Sequence, residues 1–211
     1  MDQYLRNLLK EDSEFLQKLR AYGEAEFVPI VRLDMAALLR FLVKSHKPAR
    51  ILEAGTAIGY SSILMAQADE SNSSHIDTIE IDPDTAMTAR RNIEEAGLSS
   101  RIRVIVGDAL EVFESLNGTY DMIFVDSAKS QYILMYDCIK KLLRQGGLLV
   151  CDNVIYYGKI FDSPEEAPHK HRTIIANLRA FLEKVMRDKD YAATLLETGD
   201  GVLLATLNNK P

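Results

Sequence analysis

Two short segments end apolar runs on carboxylates. Asp126 closes Ile123-Phe-Val and is followed by Ser-Ala-Lys129; Asp152 closes Val150-Cys and is followed by Asn153. If these runs are neighbouring strands, their ends present two carboxylates and one amide oxygen to one crevice. All three donors are hard oxygens, too few for a closed protein cage. Asp126, Asp152 and Asn153 therefore suit Mg²⁺, or another hard divalent cation, that keeps water or substrate oxygens. The competing reading is that Asp152-Asn153 is a turn-forming pair at a strand end. Lys129 follows Asp126 closely enough to serve the same centre. Its ammonium can stabilise an oxyanion or, with a lowered pKa, take up a proton; otherwise it is a solvated surface lysine. Asp126 and Lys129 are the candidate catalytic residues.

Upstream, the run Ile51-Leu52 enters the loop Glu53-Ala-Gly55-Thr56-Ala-Ile-Gly59-Tyr60-Ser61. This is not the G-x-G-x-x-G turn that cradles a pyrophosphate at a helix N-terminus, which counts against a nucleotide-dependent oxidoreductase. An acid opens the loop and is expected to face the ligand, which suits a cofactor carrying an ammonium or sulfonium. Gly55 permits close backbone approach, and Ser61 can donate to a carboxylate at the start of the following helix. Glu80 ends a second run, Thr78-Ile-Glu80, where a carboxylate can accept two ribose hydroxyls. Gly107-Asp108-Ala109 follows a third, where Asp108 can take an amino group of adenine and the Ala109 amide can donate to the ring. Each feature has a bland alternative, a helix cap for Asp108 or a solvated strand end for Glu80. Three of them at successive strand ends imply S-adenosylmethionine. Displacement at a sulfonium needs a strongly nucleophilic acceptor, and a bound divalent cation lowers the pKa of a coordinated hydroxyl and orients it. An acceptor with two vicinal oxygens, a catechol or 5-hydroxyuracil, fits that requirement.

The elements that must position these residues are legible in the hydrophobic pattern. Residues 1–45 read as a helical extension. Leu5, Leu8 and Leu9 form one stripe. Phe15, Leu16, Leu19 and Tyr22 form a second, capped near Asp12 or Ser13 and ending at Gly23. Pro29 interrupts, and Asp34 is expected to cap a third helix that stops before Pro48. From Arg50 short apolar runs alternate with helical patterns. The strands are Ile51–Glu53, Ile76–Glu80, Ile102–Val106, Met122–Asp126 and Leu148–Cys151. The helices are Ser61–Ala68, Asp84–Ala96, a short turn near Leu110–Leu116, and Ser130–Leu143 closed by Gly146. A further helix carries Ile174, Ile175, Leu178, Phe181, Leu182 and Val185. Two final β runs flank Gly199-Asp200-Gly201, the signature of a hairpin. The implied fold is α/β: a doubly wound, mostly parallel seven-stranded sheet with a C-terminal antiparallel hairpin and N-terminal helices, one domain over residues 1–211.

Composition narrows the setting. The chain has 211 residues and a net charge of −6, which argues against indiscriminate nucleic-acid binding without excluding a local basic patch. No apolar run approaches the roughly 20 residues that cross a bilayer. The acids Asp2, Glu11, Asp12 and Glu14 do not suit a secretory signal. Cys138 and Cys151 read as small buried hydrophobes, and a cytoplasmic location with no membrane partner is expected.

Several stretches resemble the metal-dependent O-methyltransferases that include the catechol and caffeoyl-CoA enzymes. They are Val28-Pro-Ile30, Ile51–Ser61, Gly107-Asp-Ala-Leu110, Asp126-Ser-Ala-Lys-Ser-Gln-Tyr132, Asp152-Asn-Val154 with Gly158, and Gly199-Asp-Gly201. Within that family the pattern is more similar to bacterial tRNA 5-hydroxyuridine methyltransferases. The resemblance implies cofactor contacts at Ser61, Glu80, Asp108, Ala109 and Asp126, a metal on Asp126, Asp152 and Asn153, and a homodimer. It also implies that the backbone after Pro29-Ile30 lies over the methionine moiety. Val31 stands where relatives often carry methionine, so only its main chain is implicated.

A tRNA anticodon loop needs clustered cations. The best cluster is His169-Lys170-His171-Arg172 with Lys159, sparser than in tRNA-modifying relatives, and it can equally be a solvated helix start. Its histidines have no partner set for zinc. Tyr156, Tyr157 and Phe161 can stack on a splayed base or belong to the core. Arg90, Arg91, Arg101 and Arg103 read as a solvated face. The expected partner is a tRNA anticodon loop or, alternatively, a small catechol-like or hydroxycinnamoyl substrate.

Overall fold

Helix and strand alternate along the chain as the change in apolar spacing from 3.6 to 2 dictates. The computed structural model describes residues 8–9, 13–162 and 167–208. The elements are α1 Glu14–Ala25, α2 Leu33–His46, β1 Arg50–Ala54, α3 Tyr60–Ala68, β2 His75–Glu80, α4 Pro83–Glu95, β3 Ile102–Val106 and α5 Ala109–Ser115. There follow β4 Tyr120–Val125, α6 Tyr132–Leu142, β5 Leu143–Cys151, α7 His169–Arg187, β6 Tyr191–Leu196 and β7 Val202–Leu207. Short 3₁₀ turns occupy Lys129–Gln131 and Lys159–Phe161. The seven strands hydrogen-bond in the order β3-β2-β1-β4-β5-β7-β6. β1–β2, β2–β3 and β4–β5 are parallel, while β7 runs antiparallel to β5 and to β6. The expected fold class is the observed one. No helix among the described residues is long and apolar enough to cross a membrane.

The chain forms two compact units, residues 1–109 and 110–211. In the first, α3 carries no charged residue and is buried nearly all round, with Ile63, Leu64, Met65 and Ala66 inside. It packs against α1 and α2. In the second, Ile175, Leu178, Phe181 and Val185 of α7 line its buried stripe against α6 and β6. Cys151 has no exposed surface, and burial pushes its thiol pKa up; Cys138 is half-buried.

Some boundaries differ from the sequence expectation. Ser13 caps α1 by accepting from the Leu16 amide, but the helix runs through Gly23 to Ala25. Gly23 is small for another reason: a Cβ there would lie 2.9 Å from Ile30 Cδ1. Asp34 sits inside the first turn of α2, whose cap is Arg32, and accepts from the next amide, Met35. α6 ends at Leu142 because Leu143 already pairs with Tyr120 as the start of β5, so Gly146 lies within the strand. Of the Leu5, Leu8 and Leu9 stripe only Leu8 and Leu9 are among the described residues; Asp12, the alternative cap, is outside them.

Arg101 is the larger correction. Its side chain is 9% exposed and pairs at 3.0 Å with Asp69, itself 11% exposed, while bonding Ser74 and Asn72. Arg90 reaches the Val104 carbonyl, and Arg103 pairs with Asp77. Arg90, Arg91 and Arg103 nevertheless remain exposed, as a solvated face requires, so only Arg101 departs from that expectation, its head enclosed by Asp69, Asn72 and Ser74. Burial acts to raise the Asp69 pKa, but hydrogen bonds from Ser71 and Ser74 outweigh it and hold the carboxyl well below its usual range. A carboxylate depressed in the folded state contributes stability above its unfolded pKa of about 3.9 and loses it as pH falls towards the folded value. Asp69→Asn should therefore destabilise the protein by roughly 2–3 kcal/mol at pH 7. In urea titrations that deficit should narrow progressively below about pH 4; a pH-independent deficit would refute the assignment.

Candidate active site

In residues 1–109, the parallel register sets Glu53 opposite Thr78 and Ala54 opposite Ile79. The chain leaves β1 by pointing two successive amides, of Gly55 and Thr56, at the Ile79 carbonyl (3.0 and 3.1 Å). Gly55 has φ +105°, which a side chain would oppose. Gly59 caps α3, and the loop is held from α4 by Asn92 Nδ2 donating to the Ile58 carbonyl at 2.8 Å.

Glu53 does not face outward as its position in the loop suggests. It is fully buried, and its Oε2 accepts from Thr78 Oγ1 at 2.6 Å and from Ser62. Because Thr78 spends its one proton there, Thr56, 2.7 Å from Thr78 Oγ1, must be the donor of that pair. The carboxyl group thus sits beneath the loop as the end of a hydroxyl relay, not on its surface.

Glu80 is the acid that remains partly exposed. Its Oε2 accepts from the Ala57 amide of the loop (2.8 Å) and its Oε1 from the Asp82 amide (3.1 Å). Both oxygens are fixed in direction, and a carboxylate retains further acceptor positions for two hydroxyls. The Gly107 amide donates to the Glu80 carbonyl at 2.9 Å, so Asp108 follows beside Glu80. Ala109 begins α5, where the first amides have no intrahelical partner. Ser61 is in the first turn of α3 and nearly buried. Val31 is 5% exposed, and its carbonyl accepts from Arg20 Nη1 at 3.1 Å. Arg20 Nη2 also donates to Tyr60 Oη at 2.6 Å, which fastens the Val31 segment to the start of α3. Arg20 carried no signal in the sequence, since it looks like any exposed helix arginine.

In residues 110–211, β4 and β5 pair with Val125 opposite Cys151, so Asp126 and Asp152 are the next residues on adjacent strands. The Asp152 amide donates to the Val125 carbonyl at 3.0 Å. Asp152 is 5% exposed and its Oδ1 accepts from the Asn153 amide at 2.7 Å. Asn153 adopts φ +55°, a conformation asparagine tolerates better than most residues. Lys129 Nζ lies 2.6 Å from Asp126 Oδ1, with both side chains about one-fifth exposed. All four predicted residues are thus brought together. No group of three or more His, Cys, Asp and Glu side chains among the described residues is arranged to hold a metal. A cation here would rest on Asp126, Asp152, the Asn153 amide and oxygens from water or substrate. That all-oxygen, incomplete set fits a hard divalent ion.

The O-methyltransferase family model matches residues 6–207. The chain belongs to this family. A catechol O-methyltransferase of Niastella koreensis is 36% identical over 174 residues, covering 80% of this chain and 78% of the relative. Among solved structures, the O-methyltransferase TomG of Streptomyces achromogenes, involved in tomaymycin synthesis and solved with S-adenosylmethionine, has a TM-score of 0.86 at 30% identity over 99% of this chain and 96% of its own. A Bacillus cereus O-methyltransferase solved with S-adenosylhomocysteine has a TM-score of 0.86 at 28% identity, covering 98% and 96%. The chain is an S-adenosylmethionine-dependent O-methyltransferase. Glu80 is the strand-end acid of the first unit whose carboxylate is both partly exposed and fixed in direction. Glu80→Ala should weaken S-adenosylmethionine binding in calorimetry by about 10- to 100-fold, roughly 1.4–2.8 kcal/mol; unchanged affinity would remove Glu80 from the cofactor site.

Proposed function

We propose that this O-methyltransferase is divalent-cation-dependent and acts on a ring hydroxyl flanked by a second oxygen, namely 5-hydroxyuridine at the tRNA wobble position, giving 5-methoxyuridine. The observation that carries the reading is the in-register pair Asp126 and Asp152 with Asn153 beside it. A cation held there lowers the pKa of a coordinated hydroxyl and leaves room for two vicinal acceptor oxygens. The hydroxyl proton is released to water, the acceptor oxygen forms its bond to the methyl carbon as the carbon–sulfur bond breaks, and the sulfonium leaves as a neutral thioether. The Lys129 ammonium, paired with Asp126, is placed to stabilise the developing oxyanion.

Three features of the same unit support a nucleic-acid acceptor. Tyr157 and Phe161 are 80% and 69% exposed, large aromatic faces of the kind that stack unpaired bases. The first turn of α7 is His169-Lys170-His171-Arg172 and contains no acid, an unfavourable set of charges at a helix N-terminus that a phosphate would relieve. The two are joined: Tyr156 Oη lies 2.7 Å from His171 Nδ1 and its ring packs on Tyr157. The second reading, a small catechol-like acceptor, draws on the printed activity of the Niastella relative. It also draws on the local role of Arg172, whose Nε donates to the Ala167 carbonyl. A homodimer remains part of the proposal.

The test is direct. Purified protein, Mg²⁺ and S-adenosylmethionine are incubated with tRNA carrying 5-hydroxyuridine and, separately, with catechol. Nucleoside mass spectrometry should show 5-methoxyuridine, and chelation with EDTA should stop its formation. Methylated catechol with untouched tRNA would transfer the assignment to the second reading, and activity that survives EDTA would defeat the metal.

A further inference from the structure

The motif Asp126-Ser-Ala-Lys-Ser-Gln-Tyr132 ends on a tyrosine to which the chemistry above assigns nothing. Tyr132 is fully buried, and its ring meets Phe181 of α7 edge-on, with centroids 5.6 Å apart. Its hydroxyl lies 3.0 Å from the Val125 carbonyl and 3.1 Å from the Asp152 carbonyl. It also accepts a hydrogen bond from the Ser127 backbone amide.

These partners have a particular place in the β4–β5 ladder. In a parallel pair, one residue donates its amide to the strand opposite and accepts, on its own carbonyl, the amide two positions further along that strand. Asp152 makes the first of these bonds, its amide to the Val125 carbonyl at 3.0 Å. The second would join the Ser127 amide to the Asp152 carbonyl. The Tyr132 hydroxyl stands between those two groups, accepting from one and donating to the other. A phenol oxygen is thus inserted into the rung that belongs to Asp126 and Asp152.

We propose that Tyr132 is a positioning residue: its hydroxyl, inserted in place of the last ladder rung, sets the separation of Asp126 from Asp152 and Asn153 that cation binding requires. A normal rung would draw the two chains together at the level of the two aspartates. The inserted oxygen holds them apart by one further hydrogen bond while leaving no buried amide or carbonyl unpaired. Burial, then the charges of Asp126, Cys151 and Asp152, push the phenol well above its ordinary pKa, so it stays a neutral donor and acceptor. The braces outside it are consistent with a fixed position. Asn177 Nδ2 of α7 donates to the Ser130 carbonyl at 2.8 Å, holding the turn that carries Lys129. Tyr132 neither touches the reacting atoms nor binds a cation itself.

The inference rests on the metal reading, so its test measures metal binding first. Mn²⁺ is titrated by electron paramagnetic resonance into the wild-type protein and Tyr132→Phe, with S-adenosylmethionine affinity and melting temperature measured alongside. Tyr132→Phe should weaken Mn²⁺ binding about 10- to 100-fold, the usual effect of removing a group that orients ligands. Its cofactor affinity should stay within twofold of wild type. A lower melting temperature with wild-type Mn²⁺ affinity would overturn the inference and leave Tyr132 a packing residue. Wild-type protein that binds no Mn²⁺ would instead overturn the metal reading, and the inference with it. Should Tyr132→Phe not fold, hydrogen exchange on the wild-type protein decides. The Ser127 amide should be protected like the interior of β4, and exchange at the rate of an open loop would show that the inserted rung does not exist.

Discussion

The hydrogen bond from the Asp152 amide to the Val125 carbonyl is the last regular rung between β4 and β5, and the chemistry of residues 110–211 begins one residue beyond it. Inside a parallel sheet covered on both faces, a carboxylate would be buried without partners at a cost of several kcal/mol. At the rung where pairing stops, the backbone is still held in register by the strands behind it, yet the side chains no longer face packed layers. Asp126 and Asp152 occupy that position on neighbouring strands, Asp126 about one-fifth exposed and Asp152 nearly buried. The same geometry operates in residues 1–109. There the Ile79 carbonyl receives two amides from the departing β1 segment, and the loop is bound back to Glu80 through Ala57. In both units, chemical groups are placed by where a ladder ends.

Glu53 shows how firmly the first of these loops is built. A buried carboxyl group needs donors in place of water, and here Ser62 and Thr78 both supply them to Oε2, with Thr56 behind Thr78. Ser62 belongs to α3, Thr78 to β2 and Thr56 to the loop itself, so one carboxyl group ties three segments together. The sheet, the loop and the helix cannot shift independently without breaking those hydrogen bonds. The loop held by this floor in turn fixes one oxygen of Glu80 through the Ala57 amide, while the Asp82 amide fixes the other.

Much of this was legible in the residue order. Strand ends at Asp126 and Asp152 follow from short apolar runs closed by polar residues, and the parallel sheet follows from their alternation with helices. The terminal hairpin is written in Gly199-Asp200-Gly201. Three kinds of fact were not legible. The direction of Glu53 depends on hydroxyls 9 and 25 positions away, which no local pattern encodes. Arg101 looks like a surface cation until Asp69, 32 positions earlier, is brought to it. Tyr132 was visible as a motif residue, but its role needs the ladder register, and a single sequence does not print register. Periodicity reports which face of an element is apolar; it cannot report which distant donor meets a buried acceptor.

The antiparallel hairpin, anomalous on an otherwise parallel sheet, is explained by the segment after Asn153. That segment holds Asn153, Tyr156 and Tyr157 at φ +55°, +52° and +55°, a conformation costing on the order of 1 kcal/mol or more for each residue with a side chain. Such strain persists only where the surroundings over-determine it. The hairpin turn provides this: the Val154 amide donates to the Gly201 carbonyl, the Ile155 amide to the Asp200 carbonyl, and the Tyr157 amide to Asp200 Oδ1. Three such bonds contribute roughly 0.5–1.5 kcal/mol each, of the same order as the strain they offset. Close approach is what makes Gly201 necessary, since a Cβ there would lie 2.3 Å from Ile155 Cγ1. A parallel strand could not present this turn, because its connection would leave from the opposite end of the sheet. An antiparallel β6–β7 pair returns its turn to the end where β5 delivers Asp152 and Asn153. The direction of the last two strands is therefore fixed by the need to hold the loop that follows the proposed metal ligands.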